Sequence, residues 1–161
     1  MNEKEKLKKE YLRRLRLVLS TELSAKNKIQ ETGSLAVPVI KYNFGIINWH
    51  QEELQKLDRK TRKLLTIHGQ HNTKADVDRL CVPTKQGGRG LKQLEAAFAV
   101  EFTKLVEYVD MKEDPIIQVV RTHQHNTDTS VLQTATCLKT DVQKETRKMA
   151  DGIMHKTKER W

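Results

Sequence analysis

A glycine-rich stretch at residues 85–90 carries residue types that can hold a phosphate. It reads Lys-Gln-Gly-Gly-Arg-Gly, with three glycines in four positions. Glycines permit a tight turn whose backbone amides converge on one anion, and Lys85 and Arg89 add two positive charges. We therefore expect Lys85 and Arg89 to contact nucleic-acid phosphates. The same pattern is also typical of a plain tight loop between helices, and the sequence leaves both interpretations open.

A second group of cations lies upstream, in a stretch with helical periodicity from about His50 to Ile67. Leucines at positions 54, 57, 64 and 65 would face inward. Five cations fall between positions 56 and 63, and they are Lys56, Arg59, Lys60, Arg62 and Lys63. Steps of three and four residues place four of them on one face, with Arg62 beside it. This is the sharpest basic patch in the chain and a candidate nucleic-acid contact.

Acidic residues in the same stretch offer an alternative interpretation of this patch. Glu52, Glu53 and Asp58 could pair with the cations and leave an ordinary solvated helix face. Three carboxylates cannot neutralise five bases, so we expect some positive charge to remain free for solvent or a ligand.

The N-terminal residues 3–23 also have helical periodicity. Leucines at positions 12, 15, 19 and 23 recur in steps of three and four, and the opposite face carries Lys6, Lys9, Arg13 and Arg16, interrupted by Glu10. Arg13 and Arg16 are further candidate nucleic-acid contacts, and a solvated face is the alternative. The apolar side lacks the Trp and Phe that favour a helix lying on a membrane.

Metal and nucleophile chemistry has little support in the sequence. Zinc sites use four N or S ligands in paired spacings, whereas His68 and His71 are followed by the single Cys81, and His123, His125 and Cys137 form no better set. No Asp-Asp pair exists to hold the two cations of phosphoryl transfer, and Asp76 and Asp78 read as cap and surface charges. We expect no metal, no cofactor and no catalytic residue.

Composition indicates a polyanion as the partner. The 161 residues carry a formal net charge of +9, with 32% charged and 37% hydrophobic residues, which is enough for one modest domain with a thin core. Residues 1–66 hold 15 Lys or Arg against eight Asp or Glu, so the excess is N-terminal. Nucleic acid is the commonest such partner, and anionic membrane competes. Two cysteines, no signal-peptide core and no apolar run of about 20 residues predict an intracellular protein, nuclear or cytoplasmic, without a membrane partner.

The remaining elements are predicted from caps, breakers and apolar spacing. Ser24 should cap a second helix, and Leu35 to Trp49 is interpreted as a kinked helix around Pro38, although its β-branched residues also suit a strand. Gly69 should end the basic helix. Thr73 should cap a short helix through Leu80.

Downstream, an apolar stripe from Leu91 to Val109 predicts a packing helix, and Asp114-Pro115 opens another. Residues 123–136 are predicted to form a loop, followed by a final helix from about Val131. The expected fold is all-α: a small bundle of about five to seven helices with a glycine-rich turn near residues 85–90.

Three segments together resemble one protein family. Residues 58–65, 74–80 and 85–91 are similar to the region after the catalytic palm in non-LTR (LINE-type) retrotransposon reverse transcriptases, and residues 28–30 and 35–49 extend the likeness. It covers roughly residues 10–125, while Gly33-Ser34 departs from the apolar, helix-forming residues expected there.

The resemblance implies a thumb followed by the start of a linker. In this family the thumb grips the template–primer duplex through its sugar-phosphate backbone. By that likeness Lys56, Arg59, Arg62 and Lys63 would contact phosphates, and residues 87–90 would lie near the thumb–linker junction. The family's fingers, its palm with a paired-aspartate hairpin, its zinc knuckle and its endonuclease motifs have no counterpart in the chain.

We therefore expect a thumb-like bundle in three parts: a basic helical region at 1–72, a linker-like helical region at 73–125, and a loosely attached C-terminal helix at 126–161. The expected function is that of a non-catalytic fragment of an RNA-directed DNA polymerase that binds RNA, DNA or an RNA–DNA hybrid. Its protein partner would be the missing palm and fingers. The alternative is a helical interaction module that completes a partner polymerase or self-associates.

Overall fold

The computed structural model describes residues 2–125, and every regular element in this range is helical. The helices are α1 (Glu3–Ser20), α2 (Ala25–Glu31), α3 (Val37–Lys41), α4 (Gln51–Ile67), α5 (Val77–Cys81), α6 (Leu94–Met111) and α7 (Pro115–His125). A π-helical turn, Thr32–Ala36, joins α2 to α3 into one rod, which leaves six separate helices in the described range. The predicted all-α bundle is confirmed. The predicted helix from Val131 lies outside the described residues.

The chain divides into two compact units, Met1–Phe98 and Ala99–Trp161. Helix α6 begins in the first unit and continues into the second. The division at residues 72 and 125 that we expect from the sequence concerns function and not compactness, and it stays a prediction.

The core of the first unit joins α1 to α4. Tyr11, Leu15 and Leu19 of α1 are almost fully buried, as are Leu54 and Leu65 of α4, because leucines three or four residues apart form one apolar stripe on each helix. A buried hydrogen bond of 2.8 Å joins the Tyr11 hydroxyl to Thr61 Oγ1, and Thr61 donates to the Leu57 carbonyl at 2.9 Å. Burial of the Tyr11 side chain away from water raises the pKa of its hydroxyl, so the group stays neutral.

The rod from α2 to α3 begins and bends where the sequence predicts. Ser24 accepts a hydrogen bond from the Asn27 amide at 3.4 Å as the N-cap. In a regular helix the Pro38 ring would collide with the carbonyl four residues earlier, and the wider π turn lies at that place. The expectation of a helix through Trp49 is wrong, since α3 ends at Lys41 and turns through Ile47 bring Phe44 and Trp49 into the core.

The short helix α5 is capped by Asp76 rather than by the predicted Thr73. The Asp76 carboxylate accepts from the Asp78 amide at 3.0 Å. Upstream, the Asn72 carboxamide accepts from the Lys74 amide at 3.0 Å and forms its own turn, which includes Thr73. The helix therefore starts three residues later than the capping pattern indicated.

The glycine-rich turn is tied to α5 by its own backbone. The amides of residues 87–91 donate in order to the carbonyls of Thr84, Pro83, Arg79, Val82 and Leu80, at 2.9–3.2 Å. Gly87 and Gly90 have φ values of +84° and +74°, and a Cβ at Gly88 would lie 1.9 Å from the Val82 carbonyl oxygen. Glycine is required for backbone conformation at two positions and for close approach at a third.

Helix α6 starts on the side of α4. The Asp58 carboxylate accepts hydrogen bonds from the amides of Leu94 at 2.8 Å and Glu95 at 3.2 Å, the first two amides of α6. Asp58 is buried, and this burial raises the pKa of its carboxyl against the opposing effect of the two amides and of Arg62. The Asp58 side chain of α4 therefore acts as the N-cap of α6.

In the second unit, α7 is capped by Asp114, whose carboxylate accepts from the Ile116 amide at 2.8 Å, as the Asp-Pro pattern predicts. The Arg121 guanidinium donates to the carbonyls of Val109 at 2.7 Å and Lys112 at 3.1 Å, at the C-terminal end of α6. These bonds join α7 to the C-terminal end of α6. The helix reaches His125, so the predicted start of a loop at residue 123 is wrong.

The Asp58 cap predicts a specific cost on substitution. Asp58→Ala leaves the buried Leu94 amide without an acceptor and should lower the free energy of unfolding by about 2 kcal/mol. Urea denaturation of the full chain measures this loss. Glu52→Ala removes the same charge from an exposed position of α4 and should change stability by less than about 0.5 kcal/mol; equal effects in the two variants would refute the role of Asp58.

The two kinds of glycine requirement predict unequal effects in the turn. Gly88→Ala forces the Val82 backbone to move and should destabilise the first unit by about 3 kcal/mol or more. Gly87→Ala meets no atom within 4 Å and carries only the strain of a positive φ, about 1 kcal/mol. Thermal unfolding compares the two, and a Gly87 effect as large as that of Gly88 would contradict the close approach.

Candidate nucleic-acid interface

The basic face of α4, which we define as Lys56, Arg59, Lys60 and Lys63, is exposed along its length. At about 100° per residue the four side chains fall within an arc of about 100°, and at about 1.5 Å per residue they extend over roughly 10 Å. Within residues 2–125 none of the four makes a hydrogen bond or ion pair through its side chain. The opposite side of α4 is fixed by the buried leucines, so the charges project from a rigid support.

Two of the three acids of α4 leave these cations unpaired because their carboxylates bind other groups. Glu53 accepts hydrogen bonds from Lys4 at 2.8 Å and Lys8 at 3.2 Å, both on α1, and from the His50 amide at 3.1 Å. Asp58 is occupied by the start of α6. Glu52 is exposed and forms no ion pair within the described range. Pairing within the helix, the alternative interpretation of the patch, does not occur at Glu53 or Asp58.

Arg62 does not belong to the basic face of α4. It is half-buried and lies beside the arc, four residues after Asp58. Burial raises the pKa of the Asp58 carboxyl, and the positive charge of Arg62 acts in the opposite direction with a smaller effect. Its charge also acts on Cys81. The resemblance grouped Arg62 with Lys56, Arg59 and Lys63 as phosphate contacts, and that grouping stays a prediction; by position on the helix, Lys60 and not Arg62 shares their arc.

Several cations of α1 form ion pairs with acids of the same helix. Arg13 donates two hydrogen bonds of 2.8 Å to Glu10, and Arg14 adds a third of 2.8 Å; the Arg13 bonds are the main cause that lowers the pKa of Glu10 to about 2. Lys6 pairs with Glu3 at 2.7 Å. Arg16 is exposed and has no ion pair among residues 2–125. Because Arg13 is paired, it is a poorer candidate for a nucleic-acid contact than Arg16. It stays a candidate because exposed ion pairs are weak.

The glycine-rich turn offers its side chains rather than its backbone. Since the amides of residues 87–91 are used internally, the expected phosphate cradle of backbone amides is wrong. Lys85 is exposed. The Arg89 guanidinium donates through Nη1 to the Gln70 carbonyl and so joins the turn to the loop after α4.

The same turn borders a cleft that the sequence did not reveal. Its volume is about 520 Å³, and its lining includes His71, Arg79 and Arg89. Neither the His71 ring nor the Arg79 guanidinium has a hydrogen-bond partner in the described part of the chain. These positions are separated by eight and ten residues and share no periodic signal, so only the folding of the two loops brings them together.

Other chemistry in the described range is limited. Cys81 is half-buried, accepts a hydrogen bond from Gln93 at 3.0 Å, and has a thiol pKa that burial raises, which disfavours the reactive thiolate. Residues 2–125 contain no group of three or more His, Cys, Asp or Glu placed to hold a metal ion. None of the described helices is both long and apolar enough to cross a membrane.

The contact between Glu53 and α1 predicts acid-dependent stability. Burial alone would raise the pKa of Glu53, but hydrogen bonds from Lys4, the His50 amide and Lys8 outweigh it and lower the pKa to about 2. A depressed folded-state pKa stabilises the fold above the unfolded value of about 4.3, and this contribution disappears as the pH falls towards 2.

Glu53→Gln should therefore be less stable than wild type by about 1 kcal/mol at pH 6, with the difference shrinking by pH 2.5. Urea denaturation at several pH values measures it, and Glu52→Gln is the control for removal of one exposed charge. A wild-type advantage over Glu53→Gln that is the same at pH 6 and pH 2.5 would contradict the assigned pairing.

Comparison with known proteins gives no relative for this chain: no family model matches it, and no match was found among the curated proteins or the solved structures.

Proposed function

We propose that the protein is a non-catalytic nucleic-acid-binding module that grips RNA, DNA or an RNA–DNA hybrid through phosphates. The observation that supports this most strongly is the basic face of α4, where four cations with no side-chain partner among residues 2–125 project from one leucine-backed helix. An unpaired cation keeps its full attraction for a phosphate, whereas a paired one must first give up its carboxylate.

Binding by this face is dominated by the backbone of the nucleic acid. Lysine and arginine side chains on a convex helix surface reach phosphate oxygens without reading base edges, so affinity depends little on sequence. Each neutralised phosphate releases condensed counterions, which makes the affinity fall steeply with salt. Arg16 and Lys85, both exposed, are the candidates for additional contacts outside α4.

We further propose that the module derives from a retrotransposon reverse transcriptase, an RNA-directed DNA polymerase, in which it would act as the thumb and the start of the linker. The support is the sequence resemblance over roughly residues 10–125 together with the all-helical fold. Its partners would then be the palm and fingers. A reading frame upstream of Met1 that encodes the paired-aspartate hairpin would favour this origin, and an unrelated coding sequence there would speak against it.

The basic face of α4 predicts a localised loss of binding. A variant with Lys56, Arg59, Lys60 and Lys63 all changed to Gln should bind an RNA–DNA hybrid at least about 10-fold more weakly at 0.1 M salt. The slope of log affinity against log salt should flatten by about three, because each lost phosphate contact removes about 0.7–0.9 of a released ion. Fluorescence anisotropy with the full chain measures both quantities.

A matched control separates this face from net charge. Changing Lys6, Lys26, Lys74 and Lys104 to Gln removes the same four charges from exposed positions elsewhere. This variant should keep most of its affinity and change the slope by less than about one. If the two quadruple variants lose affinity equally, binding follows overall charge and the assignment to α4 is wrong.

A helical interaction module is the second candidate function, and the second unit carries the observation that favours it. Tyr108 and Met111 of α6 and Ile116 and Val119 of α7 are 56–83% exposed. Exposed apolar side chains on neighbouring helices are typical of surfaces that bind another protein or a second copy. Light scattering distinguishes the candidates: a monomer that binds the hybrid favours the nucleic-acid module, and concentration-dependent association without hybrid binding favours the interaction module.

A further inference from the structure

The cleft beside the glycine-rich turn lies at the C-terminal end of α4. Its volume of about 520 Å³ is within the range of small-ligand sites, and its walls are the loop at residues 69–76, Arg79 and Leu80 of α5, and residues 87–89. At about 1.5 Å per residue, the end of α4 at Ile67 lies roughly 6 Å beyond Lys63, the last cation of the basic face, and Gly69 at the edge of the cleft follows two residues later.

Arg89 holds the walls of this cleft in place. Its backbone amide donates to the Arg79 carbonyl at 3.0 Å, and its guanidinium donates to the Gln70 carbonyl. One residue of the turn therefore joins α5 to the loop next to His71. A guanidinium has five N–H donors, so most of those on Arg89 remain for a ligand.

Two further polar groups line the cleft without a partner in the described residues. Arg79 is exposed at the cleft with its whole guanidinium unengaged, and the half-buried His71 ring makes no hydrogen bond. A free guanidinium binds a phosphate through two parallel hydrogen bonds, and an imidazole N–H can donate a third.

The charge of the cleft favours an anion. Arg79 and Arg89 supply two positive charges, and Asp76 supplies the single carboxylate of the lining. That carboxylate already accepts the Asp78 amide as the cap of α5. The carbonyls of Leu64, Leu65 and Thr66 at the end of α4 accept from His68, Gln70 and Gly69, so these oxygens are already hydrogen-bonded instead of being left bare towards the cleft.

We propose that this cleft binds a phosphate group of a nucleotide, with Arg79 as the main donor, His71 as a second donor and Arg89 as both support and donor. The phosphate belongs either to a strand end or to an internal phosphodiester of the nucleic acid that lies on α4. The assignment of this phosphate to a nucleic acid bound on α4 rests on the proposed function, whereas phosphate binding by the cleft itself does not.

The direct test titrates inorganic phosphate, and separately adenosine monophosphate, into the full chain while NMR follows the histidine ring resonances. The His71 signal, assigned with His71→Gln, should shift and saturate, and Arg79→Gln should weaken this response at least 10-fold. The control Lys26→Gln removes an exposed cation elsewhere and should leave it unchanged. Absence of a His71 shift at 20 mM phosphate, or an equal response in the Arg79 and Lys26 variants, would overturn the proposal.

Two hybrid duplexes separate the sources of the phosphate. If Arg79→Gln weakens a duplex with a 5′-phosphate more than the same duplex with a 5′-hydroxyl, the cleft holds a strand end. If both weaken equally, it holds an internal phosphodiester. The quadruple variant of α4 distinguishes the two proposals, because it should keep the His71 response to free phosphate even if duplex binding by α4 proves wrong.

Discussion

The buried carboxylate of Asp58 is the interaction on which the rest of the arrangement depends. It sits on α4, the helix whose leucines form the centre of the first unit, and it accepts the first two amides of α6. An unpaired carboxylate at such a buried position would be strongly unfavourable, and two unpaired amides would add to that cost. The carboxylate and the two amides satisfy each other and fix where α6 starts. Asp58 is then no longer available to neutralise the cations of α4.

The same principle governs the distribution of charge between α1 and α4. Glu10 lies among the arginines of α1 and binds them, so the N-terminal helix presents less free charge than its composition implies. Glu53 lies on α4 but is turned towards Lys4 and Lys8 of α1, where it joins the two helices. Glu53 and Asp58 therefore stabilise contacts with other helices, and within residues 2–125 the basic face of α4 stays unpaired. Excess positive charge can form a binding surface only where the fold leaves cations without an acidic partner.

In the glycine-rich turn, side chains and not the backbone amides that the local pattern indicated are available to a ligand. Its amides are consumed in bonds within the turn and to the end of α5, and the tight approach of Gly88 to Val82 makes that packing possible. The turn instead supports side chains: Arg89 joins α5 to the loop after α4, and Arg79 and His71 become neighbours of one cleft. Rigid backbone with free guanidinium groups is better suited to holding a phosphate than a flexible turn, because less ordering is needed on binding.

The sequence by itself determined the helices and the sharing of faces along each of them. The leucine spacing, the Ser24 and Asp114 caps and Gly69 are local signals, and a helix converts spacing into position without help from the rest of the chain. Only the tertiary structure decided which charges are free. That outcome depends on whether a carboxylate finds its partner on its own helix or on another one, and no periodicity encodes a contact between Asp58 and Leu94 or between Glu53 and Lys4.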